Sequence, residues 1–344
     1  MSRPLRIGLI GAGANTRAKH IPGFQALAGV EVVAVANRSV ASATKVAAEF
    51  GIPRAAANAE EIIGAPDIDA VCLGTWPDQH APLTIAALRA GKHVLTEARM
   101  AWDHAAAVAM LEESRRHAGL VAQIVPAPFS LPFDATIAGL LAAGELGELR
   151  EAHLTATNAA GADPAAPLTW RQDRRCSGDN TLMLGIYYET LRRWLGCDPA
   201  QVAAEATIFT RERRDETGVV RAVEVPDAVT VLGRYADGLR LLGHFSGVET
   251  SAPRAEIRLN GSRGGLRLDL VRGELWLGRG GGAEQRVEIA PEKRGSWQVE
   301  ADFVASIREG APVRLTDFAT GERYMRVTSA VRESWTAGGR WVTV

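Results

Sequence analysis

Leu5-Arg6-Ile7-Gly8-Leu9-Ile10 runs directly into Gly11-Ala12-Gly13-Ala14-Asn15-Thr16. A short apolar run, a glycine-rich turn and then a helix-compatible stretch predict strand, turn and helix in that order. Glycine at 11 and 13 permits a tight turn and a close backbone approach by a ligand, and the helix start that follows presents unpaired N–H groups. That combination suits the pyrophosphate of a dinucleotide, with Gly11, Gly13, Ala14, Asn15 and Thr16 as candidate contacts. Thr16 stands where a third glycine is usual, so the context of the turn carries more weight than the motif itself.

Working outward, the same alternation continues to residue 125. Apolar stretches at 30–36, 70–74, 93–96 and 120–125 read as strands, and amphipathic stretches at 17–27, 40–50, 80–90 and 102–117 read as helices. Continuous apolar strands separated by helices argue for a parallel sheet covered on both faces. The pattern changes at Pro126-Ala127-Pro128. Helices are expected at 133–143 and 181–195. Between 202 and 289 alternating residues punctuated by Ala236-Asp237-Gly238 and Asn260-Gly261 predict antiparallel strands and hairpins. Helices return at 297–308 and 317–335. The expected architecture is an α/β Rossmann domain over residues 1–125, followed by an α+β domain over 126–344 with a large open, mostly antiparallel sheet. The mixed run Arg211-Glu212-Arg213-Arg214-Asp215-Glu216 reads as a solvated hairpin tip.

The 344 residues carry 39 basic and 40 acidic side chains, a formal charge of −1, with 47% hydrophobic and 23% charged residues. That length suits about two domains. The balance offers no basic excess for a nucleic-acid or membrane-surface partner, and no apolar run reaches the ~18 residues of a membrane helix. Three cysteines without Cys-x-x-Cys spacing argue against a disulfide framework and fit a reducing, cytoplasmic setting. The seven histidines show no metal-ligand spacing, so no metal is expected. A serine-hydrolase elbow is absent as well. A sheet with one open face favours a homo-dimer or homo-tetramer.

The residues after the 30–36 strand choose between coenzymes. A carboxylate there would bind the ribose hydroxyls of NAD. Here the run is Asn37-Arg38-Ser39. A guanidinium and a hydroxyl suit a 2′-phosphate, and no carboxylate repels it, so NADP is expected, with NAD the alternative. The plainer reading of Arg38 is a loop residue stacked on adenine.

Several blocks together resemble the glucose–fructose oxidoreductase / inositol dehydrogenase / rhizopine catabolism (Gfo/Idh/MocA) family. They are the opening turn with His20-Ile21-Pro22, Gly74-Thr75-Trp76-Pro77-Asp78-Gln79-His80, and Gly91-Lys92-His93-Val94-Leu95-Thr96-Glu97. Gly144-Glu145-Leu146-Gly147-Glu148-Leu149, Trp170-Arg171, the helix around Gly185 and Asn260-Gly261-Ser262-Arg263-Gly264 complete the set. The resemblance covers nearly the whole chain. It implies a Rossmann domain, a C-terminal open sheet for substrate binding and oligomerisation, and hydride exchange between a nicotinamide coenzyme and a small sugar or polyol. It also implies coenzyme roles for Thr75, Trp76, His80 and Glu97, and substrate roles for Trp170, Arg171 and Met183.

The chain departs from the family at its usual proton-handling residues. Where relatives read Glu-Lys-Pro, this sequence has Glu97-Ala98-Arg99; where they carry Asp and His one helical turn apart, it has Met183 and Tyr187. A methyl and a thioether carry no proton. Tyr187 is therefore the candidate proton donor, with Arg99 as a neighbouring cation that lowers its pKa or grips an anionic substrate group. The alternatives are a core aromatic and a structural ion pair. Asp179 either faces the same cleft or caps the helix. The apolar Pro126–Phe129 stretch suggests a less hydroxylated or an aromatic substrate.

The expectation is an NAD(P)-dependent oxidoreductase acting on a carbonyl, hydroxyl or imine carbon with a non-standard proton donor. One alternative is glycoside cleavage or elimination through transient oxidation, with Tyr187, Asp179 or His153 as acid or base. Another is a coenzyme-binding sensor without turnover.

Overall fold

Strands buried on both faces need helices on both sides, and the N-terminal half of the chain supplies both. The structure, a computed structural model, describes residues 3–344. Its first sheet contains β1 (Leu5–Ile10), β2 (Val30–Ala36), β3 (Arg54–Ala55), β4 (Ala70–Leu73), β5 (His93–Thr96) and β6 (Ala122–Ile124), in the spatial order β3-β2-β1-β4-β5-β6. All neighbouring pairs are parallel. The order reverses between β1 and β4, and the carboxyl ends of these strands are where open α/β sheets bind ligands. The helices are α1 (Ile21–Gln25), α2 (Val40–Phe50), α3 (Ala59–Gly64), α4 (Pro77–Arg89) and α5 (His104–Arg116). Ser39, Asn58 and Asp103 accept from backbone N–H groups at the starts of α2, α3 and α5, which satisfies donors the helices leave open. Ile10, Ile62, Ile68, Val71, Leu73, Leu88 and Val94 form a common apolar core.

Two readings from sequence change here. The helix expected over 17–27 is a π-helical turn, Thr16–His20, followed by the separate short α1. Pro22 in the first turn of α1 is a helix-start residue and explains the break. The second concerns the chain's division. The first compact unit runs to Pro126 but also takes in Gln298–Glu322, which the sequence reading placed in the second domain. The apolar face of α9 (Val299–Glu309) explains this, because Phe303 packs edge-on against Phe24 of α1, with ring centroids 6.3 Å apart. Gln123 of β6 also donates to the Val299 carbonyl.

The second unit comprises Ala127–Trp297 and Arg323–Val344. Its nine-stranded sheet uses β7 (Leu149–Thr157), β8 (Gln201–Thr207), β11 (Ala228–Arg234), β12 (Arg240–Ser246), β13 (Arg254–Gly261), β14 (Gly264–Asp269), β15 (Glu274–Arg279), β16 (Gln285–Arg286) and β17 (Val342–Thr343). Only β7 and β12 pair in parallel; the other neighbours are antiparallel. Strict alternation gives one apolar face, with Leu154, Val231, Leu241, Phe245, Ile257 and Leu268 buried. His153, Thr230, Leu242 and Arg258 lie on the opposite face. The remaining helices are α6 (Leu131–Ala142), α7 (Arg174–Ser177), α8 (Leu184–Leu195) and α10 (Phe318–Thr336). β9 (Glu212–Arg214) and β10 (Val220–Ala222) make a separate two-stranded ribbon. The charged run there is not wholly solvated: Arg213 is buried, and its guanidinium donates to the Gly161, Asp163 and Ala166 carbonyls. Three carbonyl partners compensate the buried charge. No helix among the described residues is long and apolar enough to cross a membrane.

Candidate functional site

The glycine turn is folded onto the end of β4. Gly11 has φ +85°, a conformation that favours glycine, and a Cβ there would lie 2.7 Å from the Gly74 carbonyl carbon. A Cβ on Gly74 would in turn overlap the Thr16 hydroxyl and the Gly11 carbonyl oxygen. Thr16 is buried and donates to the Gly11 carbonyl at 3.2 Å. The residue that replaces the usual third glycine thus closes the turn from inside. Asn37 accepts from the Ala12 N–H at 2.7 Å, and the Gly11 N–H donates to Ala36 at 2.8 Å. Asn37 therefore fixes the turn through its side-chain oxygen.

A cavity of about 570 Å³ opens on this turn, lined by Gly11, Ala12 and Gly13, by Asn37 and Arg38, and by Thr75 and Trp76 among others. A Cβ on Gly13 would meet only the Gly74 oxygen, 3.8 Å away, so that position leaves bare backbone on the cavity floor. Exposed amide donors beside a helix start fit the diphosphate of a nicotinamide dinucleotide. Arg38 holds its guanidinium 5.2 Å from the centre of the Trp76 ring, within the range of a cation–π contact. Ser39 does not line the cavity; its hydroxyl accepts from the Ser42 N–H as the cap of α2. Ser42 does line it, as do Glu60, Asp78 and Gln79, none of which the sequence reading singled out.

His80 is not among the residues that line the cavity. It is fully buried, with Nδ1 3.0 Å from the Arg99 carbonyl and Nε2 3.1 Å from the Thr75 carbonyl. Burial lowers its pKa and keeps the imidazole neutral. It ties the loop after β4 to the loop after β5 and does not present a side chain to a ligand. Arg99 is buried, at 6% exposure, on that second loop.

Glu97, just past β5, accepts from the Asn15 amide at 2.5 Å and lies 3.0 Å from Nε2 of His20. The other ring nitrogen of His20 is 2.5 Å from a carboxylate oxygen of Glu300 on α9. Burial alone would disfavour the charged imidazole, but the two carboxylates outweigh it and push the His20 pKa up to about 9. Burial likewise raises the Glu97 carboxyl, and His20 and Asn15 reverse that, leaving it below the usual carboxylate range. His20 stands in one of the blocks that carry the family resemblance, with no role attached to it, and Glu300 stands in none. They are 280 positions apart, so no local signal joins them.

In the second unit, Met183 and Tyr187 stand on consecutive turns at the start of α8, the Tyr187 N–H donating to the Met183 carbonyl. The Tyr187 ring packs against Phe129 and Phe245, with centroids 5.2 and 5.8 Å away. Its hydroxyl forms no hydrogen bond among the described residues, and burial raises its pKa above the ordinary phenol value. Asp179 is not the cap of α8, a position held by Met183. Its carboxylate pairs with Arg332 at 3.2 Å and Arg174 at 3.4 Å and accepts from the Ser329 hydroxyl at 2.7 Å. The Arg171 guanidinium lies 4.2 Å over the Trp170 ring. No group of three or more metal-ligating side chains occurs among the described residues.

Residues 5–123 match the family model described as "Oxidoreductase family, NAD-binding Rossmann fold", and residues 135–267 match the GFO/IDH/MocA C-terminal domain. The dTDP-3,4-didehydro-2,6-dideoxy-alpha-D-glucose 3-reductase of Streptomyces antibioticus is 30% identical over 91% of this chain and 91% of its own length. The 4-carboxy-2-hydroxymuconate-6-semialdehyde dehydrogenase of a Sphingobium species is 36% identical over 41% of this chain and 44% of its own, so that likeness spans less than half of the relative. Among solved structures, levoglucosan dehydrogenase in complex with NADH and L-sorbose superposes with a TM-score of 0.89 at 24% identity, covering 100% of this chain and 99% of that one.

Proposed function

The chain belongs to the GFO/IDH/MocA oxidoreductase family, and on that footing we propose that it moves hydride between NADP(H) and a carbonyl or hydroxyl carbon of a sugar-like or cyclic substrate. A bound nicotinamide coenzyme supplies or accepts the hydride. The protein binds, orients and handles protons. Gly11, Gly13 and the first turn after them hold the diphosphate on backbone donors. Arg38, already stacked on Trp76 at the cavity rim, pairs with the 2′-phosphate, with Ser42 beside it. The guanidinium in the cavity is the single observation that carries the preference for NADP. Glu60 also lines the cavity, and a carboxylate there opposes an added phosphate.

The names of relatives favour a ring-bearing substrate, since they act on a deoxysugar nucleotide and on levoglucosan. Tyr187 donates from a neutral hydroxyl to the substrate oxygen. Its raised pKa suits a group that keeps its proton until the transition state demands it. Met183, Trp170 and Arg171 contact the substrate. Asp179, with both oxygens already paired, orders the segment that precedes α8. A second copy of the chain covers the outer face of the nine-stranded sheet, giving a homo-dimer or tetramer, which light scattering measures directly.

Calorimetric titration with NADPH and NADH tests the coenzyme assignment. Wild-type protein is expected to bind NADPH the more tightly. Arg38→Ala is expected to weaken NADPH binding about tenfold more than NADH binding, the size of one lost charge-assisted contact. Equal losses refute the 2′-phosphate role of Arg38. Mixing NADPH-loaded protein with a panel of cyclic ketones and keto-sugars then reads turnover at the nicotinamide absorbance band.

A further inference from the structure

Three polar side chains from three stretches of the first unit meet around His20. Asn15 precedes and His20 ends the π-helical turn after the glycine loop, Glu97 follows β5, and Glu300 comes from α9. His20 itself has no exposed surface. The chain makes room for this cluster. A Cβ on Gly23 of α1 would come within 2.8 Å of the Glu300 carboxyl carbon, so only glycine leaves that carboxylate its seat.

The geometry requires a proton count. One imidazole nitrogen lies 2.5 Å from Glu300 and the other 3.0 Å from Glu97. A neutral imidazole carries one N–H and donates to one of them, turning a lone pair toward the other carboxylate. The imidazolium donates to both. Deprotonation therefore withdraws one N–H of His20 from the pair, and Glu97, the farther carboxylate at 3.0 Å, is the one that loses it. The Glu97 oxygen that faces His20 also accepts from Asn15 of the glycine turn. Release of Glu97 consequently releases a contact of the coenzyme loop itself.

We propose that His20 and Glu300 are positioning residues for the coenzyme: the doubly paired imidazolium holds Glu97, and through it Asn15, in the arrangement that receives the dinucleotide. This rests on the reading of the first unit as the coenzyme site. Two other titratable groups feel these carboxylates, Cys72 on β4 and His80 on α4. Burial keeps the thiol protonated and the second imidazole neutral, so neither changes charge in the working range. The charge that changes is that of His20, whose pKa is raised to about 9. Its favourable contribution to stability is complete below the ordinary value of 6.5 and is lost as pH rises from there through about 9.

Calorimetric NADPH affinity measured from pH 6 to 10.5 tests this. For the wild-type protein it is expected to be level to about pH 8 and then to fall, with a midpoint near 9. Glu300→Gln removes one of the two carboxylates that raise the His20 pKa. The break should therefore move toward neutrality, with affinity at pH 8 falling about tenfold, the worth of one charged hydrogen bond. His20→Gln should be weak at every pH and show no break. A wild-type affinity that stays level to pH 10 overturns the proposal, as does a break that Glu300→Gln leaves in place. The wild-type profile stands alone if either variant folds poorly. Protein that binds neither coenzyme at any pH overturns both this proposal and the reading beneath it.

Discussion

The glycine turn of the first unit and the start of α8 in the second solve opposite problems. Around the turn, polar atoms are matched to polar atoms: Ala12 N–H to Asn37, the Thr16 hydroxyl to Gly11, Asn15 and His20 to Glu97. Around Tyr187 the neighbours are rings, Phe129 and Phe245, and the phenol hydroxyl has no protein partner among the described residues. A matched polar lattice holds one shape, because each buried donor left unpaired costs about 1–3 kcal/mol. An apolar wall with one unsatisfied hydroxyl leaves that hydroxyl to be completed by a ligand. Under the proposed function, the first region supplies binding precision and the second substrate discrimination.

The sharpest way to break the first half of that contrast is Gly11→Ala. The added Cβ meets Gly74 backbone, which has no flexible end to give, and the positive φ adds strain. Coenzyme affinity should fall more than 100-fold, with about 2–4 kcal/mol lost from stability, read by calorimetry and urea unfolding. Wild-type affinity in a folded variant would show that the turn tolerates another path.

Tyr187→Phe tests the other half. It removes one hydroxyl and leaves the ring against Phe129 and Phe245. With an identified substrate, kcat should drop about 100-fold while coenzyme affinity stays put, the lower end of what a positioned proton donor supplies. Unchanged turnover would make the residue a packing aromatic and return the proton to another group.

The smallest effect belongs to Asp179→Asn. The amide keeps the hydrogen bond with Ser329 but loses its charge beside Arg174 and Arg332. A loss of about 1–2 kcal/mol in unfolding free energy is expected, with kcat within about twofold of wild type. A large fall in kcat at unchanged stability would restore Asp179 as a catalytic residue.

The parallel sheet, the glycine turn and the antiparallel character of the second sheet were legible because periodicity and turn residues act over a few positions. Arg38 was legible for the same reason, as the residue that follows a recognisable strand. The break between Thr16–His20 and α1 had its signal in Pro22 but was read through as one helix. Ser39 was misplaced by a single turn of geometry: a residue at a helix start either faces a ligand or caps the helix, and here it caps. The expected lowering of the Tyr187 pKa by a cation failed outright, since burial drives it upward.

By itself, then, the sequence determined the Rossmann domain, the open antiparallel sheet after it and the glycine turn. All of these are properties of neighbouring residues. Folding alone decided that Gln298–Glu322 joins the first unit, that Asp179 is tied to two arginines and a serine, and that His20 sits between Glu97 and Glu300. Each of these depends on residues far apart in the chain being brought within hydrogen-bond distance, and only packing fixes such distances.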